Sequence, residues 1–240
     1  MKKINFMVIA LFLSSTIVWA EDEGKSEFTV GADFVSSFVW RGMHLSGTSI
    51  QPAMNFTIGN FTVGSWGSVD LIGWYKEVDL MASYSFGNFT AGLTNYWAGE
   101  DYFDYSESTV HQLEANLSFT FDPFPLTLGW NTIIAGTDHF LDLDDNFKKK
   151  RAFSTYIEAA YAFSVKEVNL QVAMGISPWK SSAMYTDGYM YATDKFAVVN
   201  MALTASKNIK ISDTYSMGVF GQLSFNPAKN DAFFVFGINF

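Results

Sequence analysis

Apolar and polar residues alternate along most of the chain beyond residue 26, with the period of a strand rather than a helix. Between Phe153 and Val165, one face carries Phe153, Thr155, Ile157, Ala159, Tyr161, Phe163 and Val165, and the other Ser154, Tyr156, Glu158, Ala160, Ala162 and Ser164. From Leu113 to Phe121, the apolar set Leu113, Ala115, Leu117, Phe119, Phe121 opposes Glu114, Asn116, Ser118, Thr120. Val168 to Ile176 repeats the pattern. Twelve such segments are predicted, at 27–40, 48–58, 61–72, 76–86, 89–98, 108–121, 126–136, 151–165, 168–178, 193–205, 213–225 and 232–240. A strand crossing a bilayer at a tilt needs about 9–11 residues, and each segment supplies that length. An even number suits an up-and-down antiparallel barrel with both chain ends on one side.

The connections segregate by length. Gly59-Asn60, Gly87-Asn88, Asp122 to Pro125, Lys166-Glu167 and Ser206 to Ser212 are tight. Arg41 to Gly47, Gly99 to Glu107, Thr137 to Lys150 and Trp179 to Ala192 are longer, while 73–75 and 226–231 break the rule. Short turns at one end and long loops at the other are the asymmetry of a membrane barrel. Trp40, Trp74, Tyr75, Tyr96, Trp97, Tyr102, Phe103, Trp179 and Tyr185 fall near the long-loop ends, where a girdle of rings is expected.

Composition sharpens this picture. Lys2 and Lys3, an apolar stretch over Val8 to Leu13, and Val18-Trp19-Ala20 before Glu21-Asp22-Glu23 predict a signal peptide at 1–20 and a barrel domain at 21–240. Without Lys2 and Lys3 the 15 basic residues fall to 13 against 24 acidic ones, a net charge of −11. That balance excludes the basic patch of a nucleic-acid binder. Aromatics make up 18% of the chain and charged residues only 16%, a surface hard to solvate. No later window has eighteen consecutive apolar residues, so a closed barrel is the remaining way to span a bilayer. The expected fold class is all-β: a transmembrane antiparallel up-and-down barrel of about twelve strands, with no cofactor.

The last residues, "FFVFGINF", put Phe234, Phe236, Ile238 and Phe240 on one face. This ending resembles the insertion signature of Gram-negative outer-membrane proteins. The resemblance implies an outer-membrane location, where the asymmetry of turns and loops would put both termini in the periplasm. It also implies the barrel-assembly machinery, outer-membrane lipid and lipopolysaccharide as partners. "SSFVWRGMHLSGTSIQPAM", Ser36 to Met54, resembles the first hairpin of a bacterial outer-membrane family of unknown function, with its aromatic-x-Arg-Gly stretch, Ser-containing loop and Gln/Pro-Ala strand. Here Trp40 directly precedes Arg41, with Phe38 two residues earlier. "VDLMASYSFGNFTAGLTNYW" and "LGWNTIIAGTD" fit the same family. That resemblance implies a fold and a compartment, and no substrate or catalytic residue.

Candidate chemistry then belongs to the inward faces. Parity assigns them Asp33, Arg41, Asn55, Asp70, Asp79, Glu114, Asn116, Asn131, Glu158 and Asn200. These line an acidic polar lumen. Such a lumen suits a small passive channel or ligand-binding barrel, open to a small solute and preferring cations. It equally suits a plugged structural or interaction barrel whose polar groups satisfy one another. Arg41 could grip an anion through its guanidinium, or pair with an inward acid beside an aromatic. An outer-membrane hydrolase or acyltransferase would need His44, His111 or His139 beside a nucleophile, and no Gly-x-Ser-x-Gly stretch accompanies them. Asp142, Asp144 and Asp145 offer oxygen ligands for calcium, but the loop lacks the glycine and distal glutamate of a calcium loop. A solvated loop accounts for them equally.

Overall fold

The computed structural model describes residues 26–99, 101–105, 110–142, 146, 148–181, 193 and 195–240. The expected signal segment lies outside them, as do Asp144, Asp145 and the side chain of Asp142.

All regular structure among the described residues is β. The strands are β1 (Ser26–Val35), β2 (Phe38–Trp40), β3 (Met43–Ser46), β4 (Ser49–Ile58), β5 (Phe61–Asp70), β6 (Lys76–Phe86), β7 (Phe89–Ala98) and β8 (His111–Thr120). They continue with β9 (Leu126–Gly136), β10 (His139–Asp142), β11 (Lys148–Arg151), β12 (Thr155–Val165), β13 (Val168–Ser177), β14 (Ala197–Lys210), β15 (Ser216–Asn226) and β16 (Asp231–Asn239). Twelve of them close into one antiparallel barrel, in the order β1, β4 to β9, β12 to β16 and back to β1. Every wall strand thereby has a neighbour on both sides, and the β1–β16 seam closes over Asp33–Val35 and Gly237–Asn239. The remaining four form two small hairpins, β2–β3 and β10–β11.

The wall follows from the alternation. On β16, Phe234 and Phe236 are exposed, Phe234 at 68%, while Val235 and Asn239 between and beyond them are buried. Phe28 and Val30 on β1, Leu117 and Phe119 on β8 and Leu128 and Trp130 on β9 are likewise exposed on the outward face. Gly59 and Gly87 take positive φ values of 58° and 60° in the tight hairpins at the other end, the backbone that such turns demand and that glycine adopts freely.

Two β-bulges interrupt the parity. Leu113 pairs with Ala135 and Glu114 with Ile133, so Ile134 is the extra residue. Gly175 pairs with Asn200 and Ile176 with Val198, so Val199 is the extra residue. Each bulge re-aims a side chain. Ile133 and Val199 both end up buried, and Glu114 comes to rest 1% accessible.

Four expectations are corrected. The first predicted strand, 27–40, is two elements, because the chain leaves the wall after Val35 and Phe38–Trp40 pairs with Met43–Ser46 inside. Phe38 and Val39 are both buried, which successive residues of a wall strand facing opposite ways cannot be. The loop expected over 137–150 carries the β10–β11 hairpin. The strand expected at 151–165 begins at Thr155, after Phe153 adopts a φ of 48°. Trp40, Tyr75 and Tyr96 pack around the internal hairpin instead of joining an outward girdle.

Candidate functional site

The β2–β3 hairpin turns inward from the long-loop end, and its tip is Arg41-Gly42. Trp40 pairs with Met43, so these two residues form the whole turn. Their φ values are 49° and 77°. Positive φ at both central residues matches the twist of a tight hairpin. Gly42 is required for a second reason: a Cβ there would lie 2.1 Å from the carbonyl oxygen of Val199.

Apolar contacts seat the hairpin. Phe38 packs on Trp66 and Tyr75, with ring centroids 5.2 and 6.0 Å apart. Val39 sits with Val35 and Val235, and Met43 with Tyr156 and Val199. Trp40 meets Tyr96 edge-on at 5.5 Å. His44 stacks on Phe233.

Polar contacts fix the tip. Nη1 and Nη2 of Arg41 donate to the two carboxylate oxygens of Glu114, at 2.7 and 3.0 Å. The guanidinium lies 4.4 Å from the Trp40 ring centroid and 4.6 Å from that of Tyr156. Forked pairing and stacking on rings are the geometry that arginine provides and lysine does not. Elsewhere on the tip, Asn226 Nδ2 donates to the Gly42 carbonyl at 3.0 Å. The turn is thus bonded to β8 and β15, well separated around the wall.

A polar network surrounds the ion pair. Tyr96 Oη and Asn116 Nδ2 donate to Glu114 Oε2 at 2.8 and 2.7 Å. Asn116 Nδ2 also reaches Asn131 Oδ1 at 3.0 Å, and Thr94 Oγ1 donates to Asn116 Oδ1 at 2.8 Å. Tyr156 donates its hydroxyl to Glu158 and accepts from Asn200 Nδ2 at 3.1 Å. Ser224 Oγ donates to Asn200 Oδ1 at 3.0 Å.

Six of the ten inward candidates therefore belong to one network: Arg41, Glu114, Asn116, Asn131, Glu158 and Asn200. The other four lie apart. Asp70 accepts from the backbone N–H groups of Gly47, Ile72 and Gly73, tying the base of the hairpin to the β5–β6 turn. Asp33 accepts from Asn239 across the β1–β16 seam at 2.7 Å. Asn55 lies over Gly64, its partner on β5. Asp79 is buried beside Glu77 and opposite Tyr96. Tyr96, Tyr156, Glu77, Ser224 and Asn226 were not among the sequence candidates, although Glu77 and Tyr96 share the inward parity of Asp79.

The histidines sit on three different elements. His44 is in the internal hairpin. His111 is on the outward face, with Nδ1 at 3.0 Å from Asn95 Nδ2 and Nε2 at 2.7 Å from the Tyr102 carbonyl. His139 opens β10.

Replacing Tyr156 with Phe removes the hydroxyl that joins Glu158 to Asn200 while keeping the ring under Arg41. Buried groups that lose a partner cost about 1–3 kcal/mol. Urea unfolding of the purified barrel in micelles, followed by tryptophan fluorescence, should show that loss in Y156F. An unchanged midpoint would mean that water replaces the hydroxyl and the network is not closed.

No protein-family model matches the chain and no curated protein matches it either, so the site stands on its own geometry.

Proposed function

We propose that this protein is an outer-membrane β-barrel whose lumen is held shut by its first long loop. The single observation carrying this reading is the β2–β3 hairpin, bonded at its tip to β8 and β15. Membrane residence is supported by a closed barrel whose outward side chains stay apolar and exposed, among them Phe28, Val30, Leu80, Leu93, Met201 and Phe236. A closed barrel satisfies its backbone without solvent, which lipid demands. The exposed Phe234, Phe236 and Phe240 are consistent with the terminal signature through which the barrel-assembly machinery would recruit the chain. Lipid and lipopolysaccharide would then surround the barrel, with both termini on the periplasmic side.

Of the two sequence readings, the plugged barrel accounts for the most residues. Arg41, the base nearest the lumen acids, is paired rather than free to bind an anion. Passage of a small solute requires the hairpin to leave. The lumen it vacates would carry Glu77, Asp79, Glu114 and Glu158, and rings of carboxylates favour cations.

Planar-bilayer recording tests this. Protein whose folding is verified by heat-modifiable gel mobility should give no steady conductance steps. The same barrel with residues 38–46 replaced by a short Gly-Ser linker should give cation-selective steps. Equal conductance in both would overturn the plugged reading.

A further inference from the structure

Glu77 and Asp79 occupy successive inward positions on β6, and both are buried. Two residues apart on one strand, their side chains leave the same face of β6. The surroundings are mostly aromatic. Trp66 and Tyr96 are the register partners of Asp79 on either side. Tyr75 Oη donates to Glu77 Oε2 at 2.6 Å. Phe38 of the internal hairpin packs on Trp66 and Tyr75, the rings beside the pair. Ser68, fully buried, faces Glu77 across the β5–β6 ladder and accepts a hydrogen bond from Gln51 Nε2 at 3.3 Å.

Charge is unbalanced here. The guanidinium of Arg41 is committed to Glu114. Asp79 is 5% accessible, and its Oδ1 is buried without a hydrogen-bond partner. An orphaned buried acceptor costs free energy, and an unneutralised buried carboxylate costs far more. A proton shared by the pair would neutralise one carboxylate and leave the other charged. A divalent cation would neutralise both and supply a partner for Oδ1. Carboxylates and a hydroxyl are hard oxygen donors, the ligand class of calcium.

We infer that the Glu77–Asp79 pair is a binding site for a hard divalent cation of the calcium type, enclosed between the β5–β6 wall and the β2–β3 hairpin. Glu77 and Asp79 provide the charge, Ser68 Oγ is the neighbouring neutral oxygen, and Tyr75 orients Glu77. The site shares the internal hairpin with the plugged reading, but metal binding by the intact barrel is read without any conductance, so the two can fail separately.

Terbium luminescence reads the site directly, because Tyr75, Tyr96 and Trp66 are close enough to sensitise a bound lanthanide. The full-length barrel in micelles is titrated with Tb³⁺ and then competed with Ca²⁺. The expected result is one saturable, Ca²⁺-displaceable site, weakened at least tenfold in both Asp79→Asn and Glu77→Gln. It should persist when Asp142, Asp144 and Asp145 are changed together to Asn. Circular dichroism and heat-modifiable mobility identify variants that still fold. Binding that survives D79N and E77Q, or that vanishes only in the loop triple variant, overturns the inference. So does the absence of binding. In that event an infrared carbonyl stretch of a protonated carboxylic acid, lost in D79N, would show that a proton holds the pair together.

Discussion

Glu114→Ala should destabilise the folded barrel by about 3–5 kcal/mol, the usual consequence of leaving one member of a buried ion pair without its partner. Glu114 is almost fully enclosed, and it receives both forks of Arg41 together with Tyr96 and Asn116. Its removal takes both forked bonds from the guanidinium, and leaves the Tyr96 hydroxyl and the Asn116 amide each short of an acceptor. The ring contacts cannot replace the carboxylate, since cation–π attraction contributes about 0.5–2 kcal/mol. Removing both charges is a different matter. Arg41→Met with Glu114→Leu relieves the desolvation of both ions, so the double variant should recover much of the stability lost in E114A. Equilibrium unfolding in urea, with refolding checked for coincidence, measures all three. If E114A unfolds at the same midpoint as Glu167→Gln, an exposed acid paired with Lys207 at 2.8 Å, the ion pair does not hold the hairpin.

The wall of this barrel was legible in the sequence because each wall strand is constrained on both faces. Outward residues are apolar and inward ones polar, so period-two alternation identifies strand and face together. The segments 61–72, 76–86, 89–98 and 126–136 differ from the observed strands by no more than two residues at either end. The internal hairpin obeys no such rule. It is surrounded by protein, so Phe38 and Val39 are both buried although they are neighbours. Nothing local marks where the chain departs from the wall, and the partner that fixes Arg41 lies 73 residues further on. The bulges were hidden for a related reason. One extra residue at Ile134 or Val199 reverses parity beyond it, and a reversed alternation remains an alternation. Trp40, Tyr75 and Tyr96 were assigned to a girdle because a ring at a strand end looks the same in sequence whichever way it points. Parity would have turned Tyr96 inward with Asp79, its register partner, and would have added Glu77 two residues before Asp79.

Gly42→Val should unseat the hairpin and open the lumen. Two effects act together. The residue holds a φ of 77°, where a β-branched side chain is strained by about 1–3 kcal/mol. Its new Cβ would also fall 2.1 Å from the Val199 carbonyl oxygen. That oxygen belongs to the backbone of a wall strand at its bulge, so it cannot rotate aside as a side chain would. The tip must withdraw, and withdrawal breaks the bond from Asn226 to the Gly42 carbonyl and stretches the fork between Arg41 and Glu114. The wall itself is untouched, because β2 and β3 contribute nothing to the twelve-stranded closure. The variant should therefore keep heat-modifiable mobility while giving conductance steps in a planar bilayer that the parent lacks. Gly59→Val is the control: it carries similar backbone strain at 58°, with no atom within 4 Å of the new Cβ, and should stay closed. If G42V remains folded and silent, the turn tolerates displacement without opening a path, and the seal must lie in the aromatic packing of Phe38 and Trp40 rather than at the Arg41-Gly42 tip.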